Sequence, residues 1–109
     1  DTSEEIVPEL LQFYIAESEK LLEKILLARD NNDANSLEFN CHTLGSSSGA
    51  HAAMPLHYLA RKIEHYCRDG SPDQAFALID EMESLAKKSF KALGELAKNM
   101  SNNGSNNGQ

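Results

Sequence analysis

The stretch Cys41-His42-Thr43-Leu44-Gly45-Ser46-Ser47-Ser48-Gly49-Ala50-His51 decides how this chain folds. It is rich in small residues, holds no Asp, Glu, Lys or Arg, and lies between segments with strong helical patterning. Read as a helix, it puts residues three and four apart on one face. His42 then stands with Glu38, Phe39, Gly45, Ser46 and Gly49, while Leu37, Cys41, Leu44 and Ser48 line the opposite face and suit a core. Gly in a helix interior costs roughly 1 kcal/mol relative to Ala. Two on one face, Gly45 and Gly49, call for a reason of packing or access. A lone histidine on a helix is ordinarily a surface or capping residue. Here the small residues give it a cleared face, so that a bulky partner can approach a titratable, nucleophilic imidazole.

The flanking segments set the architecture. Ser3 with Glu4 and Glu5 reads as a helix start, its acids suited to the positive end of the dipole. Ile6, Val7, Leu10, Leu11, Tyr14, Ile15, Ser18, Leu21, Leu22, Ile25 and Leu26 follow at spacings of three and four. Pro8 in the second turn is a point where a short N-terminal cap helix would separate from a long one. Asp30-Asn31-Asn32-Asp33 is a turn cluster. The second helix is expected from Asp33 or Asn35 to between Gly49 and Ala53. The third opens at Pro55, buries Leu56, Leu59, Ala60, Ile63 and Cys67, keeps Arg61, Lys62, Glu64 and Arg68 outside, and stops at Gly70. Ser71-Pro72-Asp73 opens a fourth, whose stripe runs from Ala75 through Leu78, Ile79, Met82, Leu85, Ala86, Ser89 and Leu93 to Leu96. No segment alternates with period two. The expectation is all-α, an antiparallel up-down-up-down four-helix bundle over residues 1–98. Beyond it, residues 99–109 are expected to form a disordered Asn/Ser/Gly tail.

At 109 residues the chain is one domain. Lys and Arg number 10 against 17 Asp and Glu, a formal net charge of −7, which argues against nucleic acid or an anionic membrane as partner. No apolar run approaches the ~20 residues of a membrane span, and no signal peptide is visible. Cys41 and Cys67 fall on apolar faces and read as buried thiols of a reducing compartment, not a disulfide framework. Gly45-Ser46-Ser47-Ser48-Gly49 lacks the Lys-Ser/Thr ending of a phosphate loop, so no nucleotide site is expected. His51, His57 and His65 do not fall at metal-ligand spacing, so no metal is expected. Ser46 to Ser48 near His42 offers neither cleft nor oxyanion hole for hydrolysis.

From His42 to Glu64 the residues resemble a family signature. His42-Thr-Leu44, Ser46-Ser47-Ser48, Ala53, Leu56, Leu59-Ala60 and Ile63-Glu64 match, without a gap, that of histidine-containing phosphotransfer (HPt) domains. That signature runs H-x-L-K-G-S-S, a small pair, then L-x-x-L-x-x-x-I/L-E. The order of helices also looks like this family. Four positions depart from it: Gly45 stands where the family has Lys, Ser46 where it has Gly, Ala52 at the first of the small pair and His51 at the apolar position before it.

The resemblance implies a phosphorelay role in two-component signalling. His42 would accept a phosphoryl group from a receiver-domain aspartate and pass it to a response-regulator aspartate. Glu38, Phe39, Gly45, Ser46 and Gly49 would serve docking and access, and Arg61 and Lys62 would be the cations nearest the phosphate. The receiver would bring Mg²⁺; the domain needs no cofactor of its own. Thr43 stands where autophosphorylating kinase helices commonly carry an acid, so no self-phosphorylation is expected. The expected setting is a monomeric cytoplasmic domain, part of a hybrid sensor histidine kinase. The missing Lys supports the alternative of a non-phosphorylated helical adaptor that binds receivers.

Overall fold

The computed structural model describes residues 2–51 and 53–107, with side-chain surroundings over 8–51 and 53–102. Five helices follow one another: α1 (Thr2–Asp30), α2 (Ala34–Ala50), α3 (Met54–Arg68), α4 (Pro72–Ala77) and α5 (Ile79–Asn107). No strand occurs among the described residues. The arrangement is an all-α antiparallel bundle, with α4 and α5 together as its fourth member. Gly49 faces His57 and His42 faces Glu64, so α2 and α3 run antiparallel. Arg29 pairs with Asp80 and Ile15 lies against Gly94, so α1 and α5 do too. The molecule measures 56 × 20 × 17 Å, its length set by the two 29-residue helices.

The turns form as their residues dictate. Asn32 closes α1 in the left-handed region, where Asn is tolerated, and the Asp33 amide bonds back to the Ala28 carbonyl. Asp33 then caps α2, its Oδ1 accepting from the Ser36 amide at 3.1 Å. Gly70, at φ +78°, ends α3 in the same way, and the Ser71 amide bonds to the Tyr66 carbonyl.

The inner face of α2 is the expected one: Leu37, Cys41, Leu44 and Ser48 are all buried. Ser48 is small because Tyr14 of α1 reaches it, hydroxyl to hydroxyl at 2.6 Å. The Tyr14 ring stacks on His51 and meets Phe90 edge-on, tying three helices at one level.

Four expectations need correction. No cap helix separates at Pro8, because a proline this early removes one backbone bond and α1 passes through it. Leu10 and Leu96 lie half exposed, outside the core stripe. Ile6, Val7 and Ala52 fall outside the residues whose side chains are described. The fourth helix is divided at Leu78, whose amide bonds three residues back to Ala75, a tightened turn with no proline or glycine to mark it. Finally, the helix does not end at Lys98 but continues to Asn107. Asn, Ser and Gly each cost at most ~1 kcal/mol relative to Ala, no proline intervenes, and extending a helix is easier than starting one.

Candidate functional site

His42 stands mid-way along α2 with its side chain 55% exposed. Across the seam, Glu64 of α3 is only 2% exposed, although the sequence pattern places it outside. Its Oε2 lies 2.8 Å from His42 Nδ1. Burial alone would raise the Glu64 pKa; hydrogen bonds from Arg61 and His42, together with their charges, outweigh it and hold the carboxyl below its usual range. The group is therefore an anion at neutral pH. A ring lone pair facing an anionic oxygen at 2.8 Å would be repelled, so the proton sits on Nδ1 and is donated to Glu64. Nε2 is left with its lone pair, and no described residue bonds to it.

Two arginines complete the anchor. Arg61 Nη1 donates to Glu64 Oε1 at 2.9 Å, and Arg68 Nη2 donates to Oε2. Arg68 also pairs with Glu38 at 3.7 Å. Glu38 is thus tied into the network, not left free to repel an incoming anion. Asn35, Glu38, Phe39, His42, Glu64 and Arg68 line a shallow open pocket of about 310 Å³. Phe39 is 69% exposed beside it.

The small residues do not act as expected. Gly45 is buried and Gly49 half-buried, because α3 fills the space above them. A Cβ on Gly49 would lie 2.9 Å from His57 Nδ1, and one on Gly45 would lie 3.4 Å from the Arg61 stem. His57 donates from Nδ1 to the Gly45 carbonyl at 2.6 Å. The glycines thus bring α3 close to α2; they do not open a cleared surface. Ser46 is exposed, and its hydroxyl accepts from Arg61 Nη2 at 3.1 Å. Of the two cations expected near His42, Arg61 arrives, with Nη1 3.1 Å from His42 Nδ1. Lys62 is exposed and makes no bond to this group.

Sequence reasoning left Glu64, Arg68 and His57 without roles. A signal for the first two exists: an acid four residues after Ala60 on a core-facing stripe, with bases three before and four after it. The other histidines are engaged differently, His51 with the Ser47 carbonyl and the Tyr14 ring, His57 with Gly45. Burial raises the pKa of both thiols, leaving Cys41 and Cys67 as free, unreactive cysteines. Among the described residues, no three His, Cys, Asp or Glu side chains gather as a metal site, and no helix is long and apolar enough to cross a membrane.

The Hpt domain family model matches residues 9–102. The Phosphorelay intermediate protein rdeA of Dictyostelium discoideum is 27% identical over 95 residues, which cover 87% of this chain. The chain spans 37% of that relative's length. No solved structure matches. With the helical bundle and the exposed His42 already in place, a match over nearly the whole chain leaves one conclusion: the chain belongs to the Hpt domain family.

Proposed function

We propose that this domain is a phosphorelay intermediate that carries a phosphoryl group on Nε2 of His42. One observation carries the reading: an exposed imidazole whose Nδ1–H is held by the buried, ionised Glu64, which leaves Nε2 as a free nucleophile. The donor is an aspartyl phosphate of a receiver domain. The Nε2 lone pair forms the N–P bond as the P–O bond to the aspartate breaks. That electron pair stays on the aspartate carboxylate, and Nδ1 keeps its proton. Glu64 then faces a ring that has gained positive character, and stabilises it. Reversal onto a second receiver aspartate passes the group on.

The receiver supplies Mg²⁺ and the acyl phosphate; this domain supplies a fixed tautomer and an accessible ring edge. Phe39 and the pocket beside His42 form the docking contact. ATP chemistry belongs to a kinase domain elsewhere, in this reading on a cytoplasmic hybrid sensor kinase. The domain acts as a monomer.

The test is transfer of radiolabel from a phosphorylated receiver domain to the purified protein and to His42→Gln. Label on the wild type and none on the variant, with unchanged circular dichroism, is the expected result. An unlabelled wild type that still binds the receiver would replace this reading with the adaptor.

A further inference from the structure

We infer that Arg61, reaching across the α2–α3 seam through the gap left by Gly45, is the cation that binds the phosphoryl group on His42. The inference rests on His42 being the phosphoryl acceptor, and names the group that serves it.

Three observations carry it. First, the Arg61 stem and a side chain at residue 45 are alternative occupants of one space. The Cδ and Nε of Arg61 lie 3.4 Å from where a Cβ of residue 45 would stand, at the lower edge of ordinary contact, so a side chain longer than a methyl there would meet the arginine stem. Gly45 therefore admits the arginine. Second, the guanidinium is held at the ring without being used up there. Its Nη1 lies 3.1 Å from His42 Nδ1, but that nitrogen already donates its proton to Glu64, so donor faces donor. Arg61 bonds Glu64 and Ser46 with two of its five N–H groups and has others to offer. Third, Glu64 does not depend on Arg61 alone, since Arg68 holds its second oxygen. Arg61 can turn toward a new anion while the anchor of the His42 tautomer stays in place.

The need is electrostatic. The phosphoryl group brings up to ~2 negative charges to a chain of formal net charge −7. Arg68 is committed to Glu64 and Glu38, and Lys62 makes no bond at the site. Arg61 is the one base whose guanidinium touches His42 among the described residues.

The experiment phosphorylates His42 with phosphoramidate, a small donor that needs no receiver, and follows the ³¹P resonance against pH. A guanidinium beside the phosphoryl group favours its dianion and lowers its second pKa. Arg61→Ala should raise that pKa by about half a unit at low salt, a ~3-fold change in the protonation equilibrium that added salt erases. Arg68→Ala should move it less. Gly45→Lys in the Arg61→Ala background, where the space is free, should restore the low value. Circular dichroism confirms that each variant is folded, and Arg61→Lys supplies a milder change should Arg61→Ala unfold. A phosphoryl pKa unmoved by Arg61→Ala, or moved equally by Arg68→Ala, overturns the inference. A wild type that titrates as expected yet takes no label from a receiver would overturn the proposed relay role and leave Arg61's role standing.

Discussion

Helix α2 is held on two sides by different kinds of contact. On its inner face the packing is apolar and closed: Leu37, Cys41 and Leu44 are fully buried, and Ser48 meets Tyr14 of α1, a pair of neutral hydroxyls. Against the outer edge of α3 the seam is built on missing side chains, Gly45 and Gly49, and filled with His57, Arg61 and the buried Glu64. The first seam gains stability from removing apolar surface from water. The second places a charged network beside one imidazole, an arrangement that adds little net stability but fixes a tautomer. Stability and chemistry thus occupy different faces of one helix.

Replacing Ser48 by Leu strikes the closed seam and should have the largest effect. It overpacks the core and takes away the partner of a buried hydroxyl, a loss of about 2–4 kcal/mol in chemical denaturation. A variant as stable as the wild type would mean that this seam has slack.

Glu64→Gln strikes the polar seam. It removes charge-assisted bonds whose arginine partners can return to water, so about 1–2 kcal/mol should be lost at pH 7. The Glu64 pKa is depressed in the folded state, so its contribution is present above the unfolded value near ~4.3 and disappears as pH falls through the folded value. The gap between wild type and variant should narrow below about pH 4. A gap independent of pH would show that the carboxylate charge is not what matters.

Gly49→Ala should have the smallest effect. On an open helix face it would gain ~1 kcal/mol. Here the new methyl displaces His57 and weakens its bond to the Gly45 carbonyl, worth about 0.5–1.5 kcal/mol, so the net change should be near zero or a slight loss. A full stabilisation would show that His57 does not close the seam.

The apolar seam was legible and much of the polar one was not, for a physical reason. Leu37, Cys41, Leu44 and Ser48 recur at helical spacing, and hydrophobic burial follows that spacing directly. His42 was legible from the small residues after it and from the family signature. Those same small residues misled, because spacing reports which face a glycine is on, not what stands opposite. Whether Gly45 opens onto solvent or onto Arg61 depends on the register of α3, set by the short connection that ends at its N-cap Ala53. Glu64 was read as outward because an acid seldom enters a core; its two arginines, at i−3 and i+4, are what allow it. The division at Leu78 has no residue signal, and the helical run past Lys98 has signals that point the other way.

Tyr14 has a consequence for how the molecule behaves in base. The chain has no Trp and three Tyr, and of these Tyr14 is the one enclosed in the core, with a phenol whose pKa burial pushes above its ordinary value. Tyr58, by contrast, is mostly in solvent. In alkali, burial opposes ionisation of the Tyr14 phenol. Its stabilising contribution, intact below the unfolded value near ~10, is lost as pH rises through the folded one. The hydroxyl that locks α1 to α2 therefore also sets an alkaline limit on the fold, written in the ultraviolet absorbance of a single phenolate.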